Sequence, residues 1–281
     1  MSGRRRRAPS PRADLRAAYR RVRRAVAGRA AARPLTVEGL HEVHRQLRRL
    51  RLLALLTSPP RTRGGAGTAR AVRRLSRLAS DLGRVRDRDV GAALLGRLRS
   101  EGVLPPGTTV DRAIEALRRQ GARGRSRLPP RLRSAATDRL LSAIPEGTND
   151  RGPPTATRRV RYDPLRLAEA MRRRLGRALR RALDRSSPRR LHRLRKRLRE
   201  LDAALGLGTS RGRRGASVLP TRSRKWARRL GALHDLAVLG EWIARRYRSR
   251  EGRRLARTVL ALERKERRRI VRSLRRASLP G

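Results

Sequence analysis

Two segments with the same arrangement of side chains stand 151 residues apart in this chain of 281 residues. In each segment, apolar residues recur at intervals of three and four, which is the spacing of one face of an α-helix. The first apolar stripe consists of Leu40, Val43, Leu47, Leu50 and Ala54, and the second of Leu191, Leu194, Leu198 and Leu201. One position later, a basic stripe follows each apolar stripe, with His41, His44, Arg48 and Arg51 in the first segment and His192, Arg195 and Arg199 in the second. We therefore expect two helices that each bury one side and present imidazole and guanidinium groups beside it.

A second pair of motifs supports an internal duplication. The sequence LGRVRDRDV begins at Leu82, and LGALHDLAV begins at Leu230, so Gly83 and Gly231 are 148 residues apart. Alternating β-branched or aromatic runs, which would indicate strands, are nearly missing from the chain. We predict an all-α fold of two four-helix units in tandem, each with a His-containing helix followed by a loop, a long Gly-containing helix and a final helix.

The predicted organisation has four parts. Residues 1–12 (MSGRRRRAPSPR) form a disordered basic arm, because no apolar segment of a signal peptide follows the arginines. The first helical half covers 13–145, a linker rich in Pro, Gly, Asn and Thr covers 146–162, and the second half covers 163–277. The longest apolar run, 52–56, is far too short to cross a membrane. We expect a cytoplasmic protein without a membrane partner.

The charge of the chain points to a polyanionic partner. Lys and Arg number 78 against 22 Asp and Glu, a formal net charge of +56, and only three of the basic residues are Lys. Arg is the better phosphate ligand because its planar guanidinium donates paired hydrogen bonds. The absence of Cys excludes disulfides and thiolate metal sites, and five aromatic residues are too few for a platform that stacks single-stranded bases.

Taken together, the motifs resemble the CHAD family, the conserved-histidine α-helical domain. The resemblance rests on His41 with the following RRLR at 48–51, LGxxRDxDV at 82–90, His192 with Arg195 and Arg199, and LGxxHDxxVL at 230–239. It covers about residues 12–277. It implies two pseudo-twofold-related helical bundles, a basic cleft between them that binds inorganic polyphosphate, and association with polyphosphate granules. The sequence departs from the family pattern at His44, where the family has Arg, and at Asp202, where it has a basic residue.

The candidate site follows from the stripes and the resemblance. The predicted polyphosphate-binding residues are His41, His44, Arg48, Arg51, His192, Arg195, Lys196, Arg199 and His234. Structural roles are predicted for Gly83, Arg86, Asp87, Gly231 and Asp235, with the glycines permitting close helix approach and the aspartates pairing with Arg inside the bundle. If the histidines face a polyanion, bound phosphate should raise their pKa, so that affinity rises as pH falls.

Two other functions stay open. The same charge suits a non-specific nucleic-acid-binding or compacting protein, in which the repeated motifs only pack the helices. An enzyme of phosphate metabolism has less support, because no phosphate-binding loop or nucleophile motif is present. We expect no catalytic residues, no cofactor and no bound metal, since an Arg-lined site around His41 and His44 repels cations.

Overall fold

The computed structural model describes residues 35–57, 65–104, 107–132, 164–205 and 220–278, together with the single positions 17, 20, 24 and 28. These residues contain seven long helices and no strand, which confirms the predicted all-α fold. The helices are α1 (Val37–Thr57), α2 (Gly65–Ser100), α3 (Thr108–Leu132), α4 (Pro164–Asp184), α5 (Pro188–Leu205), α6 (Thr221–Arg246) and α7 (Arg250–Ser278). The predicted basic arm 1–12 and linker 146–162 lie outside the described residues.

The two repeated helices begin with the caps that their sequences suggest. At the start of α1, the backbone N–H of Gly39 donates a hydrogen bond of 3.0 Å to the Thr36 hydroxyl. At the start of α5, the N–H of Arg190 donates one of 3.3 Å to the Ser187 hydroxyl, and Pro188 occupies the first helical position. A side chain that accepts from the free N–H groups of the first turn stabilises a helix by about 1 kcal/mol. Local sequence therefore determines where both helices begin.

The predicted apolar stripes are buried at every position whose side chain the structure describes, which leaves out Ala54. Leu40, Val43, Leu47 and Leu50 of α1 are fully enclosed, and the four leucines of the α5 stripe keep 6 % exposure or less. Burying one such side chain contributes roughly 2 kcal/mol. Most of the side chains one position further on are exposed or half-buried beside this packed interface, but Arg195 is enclosed, with 4 % exposure.

The chain divides into two compact units, each assembled from three segments. Unit 1 comprises Met1–Leu82, Arg127–Glu169 and Asp202–Val218, and unit 2 comprises Gly83–Ser126, Ala170–Leu201 and Leu219–Gly281. These boundaries follow contacts in space and differ from the predicted halves 13–145 and 163–277, which follow sequence repetition. The halves and their pseudo-twofold relation stay predictions.

Unit 2 holds two hydrophobic clusters. One, the Leu95 cluster, joins the C-terminal part of α2 to α3, α6 and α7; the other, the Leu194 cluster, joins α4 and α5 to α6 and α7. Along α6, Leu230 and Leu233 belong to the Leu194 cluster, and Leu239 and Ile243 belong to the Leu95 cluster. The stretch between them begins with His234 and Asp235, so α6 carries polar side chains between two apolar regions. None of the described helices is long and apolar enough to span a membrane.

Candidate functional site

Seven residues from three helices of unit 2 form what we call the polar cluster. All seven were named from the sequence. Four belong to the motifs that begin LGRVRD at Leu82 and LGALHD at Leu230, which we call the LGxxxD motifs, and three belong to the basic stripe of α5. The seven residues are Arg86 and Asp87 of α2, His192, Arg195 and Arg199 of α5, and His234 and Asp235 of α6. Lys196, also predicted as a ligand, is exposed on α5. The cluster thus combines three arginines, two histidines and two aspartates.

The two histidines of the cluster touch each other. The imidazole rings of His192 and His234 have centroids 4.4 Å apart and are tilted by 43°. His192 is exposed, whereas His234 is half-buried. The pKa of His234 is lowered to about 3, chiefly by burial and further by the nearby His192 and Arg195. His234 is therefore neutral near pH 7 in the free protein, and a positive charge there would meet other positive groups.

Arg195 is the most deeply placed basic side chain of the cluster. It is only 4 % exposed, and its Nε has no hydrogen-bond partner among the described residues. Burial lowers its pKa, and the nearby Asp235 counteracts that shift. A guanidinium buried with a free N–H group is costly, because the lost hydration is only partly replaced. The Nε–H of Arg195 is thus a buried donor that no described residue satisfies.

Gly231 packs against the guanidinium of Arg195. A side-chain Cβ at Gly231 would lie 3.5 Å from Nε and 3.6 Å from Nη2 of Arg195. The predicted reason for this glycine was the close approach of helices, and the group that approaches it is this guanidinium. Gly83, its counterpart on α2, is half-buried.

The repeat-related aspartates lie in the same cluster. Burial raises the pKa of Asp87, Arg86 lowers it, and Asp235 raises it again. The same first two effects act on Asp235, whose further neighbours are Arg195 and Arg199. Arg86 Nη1 lies 3.5 Å from Asp87 Oδ1. Asp87 and Asp235, which are equivalent in the two motifs, therefore interact with each other and share the neighbours Arg86 and Arg195. In the sequence, the constant offset between the motifs indicates that these aspartates are equivalent.

The first histidine helix, α1, belongs to unit 1. Its His41 is exposed, and His44, Arg48 and Arg51 are half-buried. Arg51 Nε donates a hydrogen bond of 2.6 Å to the Ser76 hydroxyl of α2, which donates in turn to the Val72 carbonyl at 2.7 Å. Part of the Arg51 guanidinium is thereby engaged within unit 1.

Sequence reasoning missed two side chains next to the polar cluster. Arg88 directly follows Asp87, and its guanidinium carbon lies 5.8 Å from the ring centroid of Trp242. Trp242 stands two helical turns after Asp235, a spacing that puts both on one side of α6. This seven-residue spacing was the sequence feature that could have associated Trp242 with the cluster. Within the described residues, no group of three or more His, Asp or Glu side chains is placed to hold a metal ion.

Comparison with known proteins identifies one family. The model of the CHAD domain matches residues 15–210, more than half of the chain. The match includes α1 and α5 and ends before the second LGxxxD motif. The extension of the domain to about residue 277 therefore rests on the internal repeat alone. No curated protein and no solved structure matched the chain.

Proposed function

The chain belongs to the CHAD domain family, and we propose that it binds inorganic polyphosphate through the polar cluster of unit 2 and the His/Arg face of α1. The pseudo-twofold arrangement of two bundles with a basic cleft, and association with polyphosphate granules in the cytoplasm, belong to this proposal. Polyphosphate is a flexible chain of phosphates without bases, so the scarcity of aromatic residues is no handicap for binding it.

The observation that carries the proposal is the state of Arg195. Its side chain is 4 % exposed, yet its Nε lacks a hydrogen-bond partner among the described residues. Phosphate and carboxylate oxygens are the acceptors that a guanidinium binds most strongly. His192 and Arg199 come from the same helix and bring two further basic groups to the cluster.

The ionisation of the cluster suits the arrival of a strong anion. In the free protein, two aspartates oppose three arginines, and His234 is held neutral by burial and by positive neighbours. A bound phosphate chain would supply negative charge and favour the protonated imidazole. The pKa of His234 in the complex should then exceed its free value, so affinity rises as pH falls and this gain disappears as pH climbs above the bound pKa.

The interaction of Asp87 with Asp235 supports the pseudo-twofold part of the proposal. These residues occupy equivalent positions in the two LGxxxD motifs, and each influences the charge environment of the cluster. Equivalent residues of two repeats meet where a local twofold axis passes between them. The positions 86 and 234 differ between the repeats, with a permanent cation at one and a titratable group at the other.

Competition between polyanions tests the proposal. Labelled long-chain polyphosphate is bound to the protein and displaced by unlabelled polyphosphate, duplex DNA or RNA at matched phosphate concentration and about 150 mM salt, where long-range charge effects are screened. We expect polyphosphate to compete at least about tenfold better than either nucleic acid, a preference of about 1.4 kcal/mol. Equal competition would overturn the proposal in favour of a general nucleic-acid-binding protein.

We propose binding without turnover. Incubation of the protein with long-chain polyphosphate and Mg²⁺ should release no more phosphate than a protein-free control. Release that depends on the protein concentration would identify a phosphate-metabolising enzyme instead.

A further inference from the structure

A cavity of about 460 Å³ lies beside the polar cluster, within unit 2. Helices α2, α3 and α6 line it, and four of its lining residues are arginines, among them Arg84, Arg245 and Arg246. Its volume falls in the range of pockets that hold a small organic ligand. The family resemblance assigns nothing to this cavity.

The cavity contains an aromatic ring in a chain that has few. Trp242 lines it, with Arg88 over the indole at 5.8 Å and Tyr247 against the indole at a centroid distance of 5.9 Å. Guanidinium planes and aromatic rings both stack on nucleobases. One wall of the cavity can therefore receive a flat ring.

The remaining lining argues against a purely inorganic anion. Asp87, Glu241 and Gln120 also face the cavity. Carboxylates repel phosphate, but they accept hydrogen bonds from amino and hydroxyl groups, and an amide both donates and accepts. A ligand that carries phosphates at one end and neutral polar groups at the other satisfies this mixed lining, whereas bare polyphosphate does not.

We propose that the cavity is a nucleotide site, with the base stacked against the Trp242–Arg88 pair and the phosphates held by the other arginines of the lining. The site is separate from the polyphosphate site proposed above and shares only Asp87 with it. Glu241 accepts a hydrogen bond of 2.6 Å from Arg245 Nη2, so these two lining side chains are paired with each other.

Calorimetric titration of the full chain with three probes tests the proposal. ATP supplies base, ribose and phosphates, tripolyphosphate supplies the phosphates alone, and adenosine supplies the base and ribose. We expect ATP to bind about tenfold more tightly than tripolyphosphate, because stacking and the neutral hydrogen bonds add to the phosphate contacts. Equal affinity for ATP and tripolyphosphate would overturn the proposal.

A charge-matched pair of variants locates the site. Arg88→Gln should remove the preference for ATP over tripolyphosphate, whereas Arg118→Gln, which replaces an exposed arginine of α3 outside the cavity, should keep it. Equal effects of the two substitutions would show that ATP binds only through the general positive charge. Both variants should retain the wild-type affinity for long-chain polyphosphate, so failure of the nucleotide site is distinguishable from failure of the polyphosphate site.

Fluorescence gives an independent readout. In Trp226→Phe, the remaining indole is that of Trp242, and we expect ATP to quench it while tripolyphosphate leaves its emission unchanged. If Trp226→Phe does not unfold cooperatively, calorimetry with Trp242→Leu takes its place. We expect Trp242→Leu to lose the preference for ATP over tripolyphosphate, as Arg88→Gln does. An indole that does not respond to saturating ATP would place the nucleotide elsewhere.

Discussion

The two histidine helices differ at the positions that decide how strongly each can hold a phosphate chain. Where α1 has the half-buried His44, α5 has Arg195 with 4 % exposure. Where α1 has Arg51, α5 has Asp202. At the first of these positions, α5 therefore has a buried permanent charge and α1 has a titratable group. The two helices thus share a buried apolar face with the same spacing, while their basic faces differ in burial and in charge.

Removing Arg195 should produce the largest effect. Arg195→Met leaves Asp87 and Asp235 with one fewer positive neighbour in a buried site, and we expect it to lower the free energy of unfolding by about 3 kcal/mol. Urea unfolding followed by circular dichroism measures this loss. His44→Gln, at the equivalent position of α1, should cost less than about 0.5 kcal/mol.

The double variant Arg195→Met/Asp235→Asn isolates the charge contribution. It should recover part of the stability that Arg195→Met loses, because it removes one of the carboxylates left behind. Equal destabilisation by Arg195→Met and His44→Gln would contradict the difference drawn between the two helices.

His234 should make stability depend on pH. Its pKa is about 3 in the folded chain and about 6.5 when exposed, so the unfolded chain takes up the proton first. Its stabilising contribution is complete above about pH 6.5 and is lost as pH falls towards the folded value. Between about pH 8 and pH 5, the wild type should lose about 2 kcal/mol more than His234→Gln, in which the raised pKa values of Asp87 and Asp235 still act. Identical pH profiles of the two proteins would show that His234 is not held neutral.

Restoring the family residue at His44 should strengthen the weaker helix. We expect His44→Arg to bind long-chain polyphosphate about fivefold more tightly, since it adds one charge-assisted contact. The slope of log affinity against log salt should become steeper by about one, as one more counterion is released. An unchanged affinity and slope would remove this position of α1 from the binding face.

The glycine beside Arg195 should tolerate an added methyl group. A Cβ at Gly231 meets the guanidinium at 3.5 Å, an ordinary contact, so Gly231→Ala should change the unfolding free energy by less than about 1 kcal/mol. Gly124→Ala is the control: its Cβ would lie 2.8 Å from both γ-carbons of Val85, and overpacking should cost about 1–3 kcal/mol. A large loss for Gly231→Ala would mean that Arg195 has no freedom to adjust.

The sequence predicted the local features of the fold well. The apolar stripes of α1 and α5, their starts near Thr36 and Ser187, and the all-α class depend on neighbouring residues, which periodicity and capping describe. The motif offset identified Asp87 and Asp235 as equivalent residues, but it did not predict that they lie in one cluster.

Periodicity and capping could not predict the features that depend on packing between distant segments. A basic residue beside an apolar stripe is expected at a partly exposed edge. Arg195 is instead enclosed, with residues of α2 and α6 around it. The cavity with Trp242 and Arg88 needs three helices from distant parts of the chain. The periodicity of one helix does not indicate which distant helices pack against it.

The most direct test of the central claim compares two arginines of one helix. Arg199 belongs to the polar cluster, whereas Arg193 is exposed on α5 outside it, and replacing either with Gln removes the same charge. The dissociation constant for long-chain polyphosphate should rise about tenfold in Arg199→Gln and less than about twofold in Arg193→Gln at about 150 mM salt. Equal losses in the two variants would contradict a polyphosphate site at the polar cluster and leave only the attraction of a highly charged protein for any polyanion.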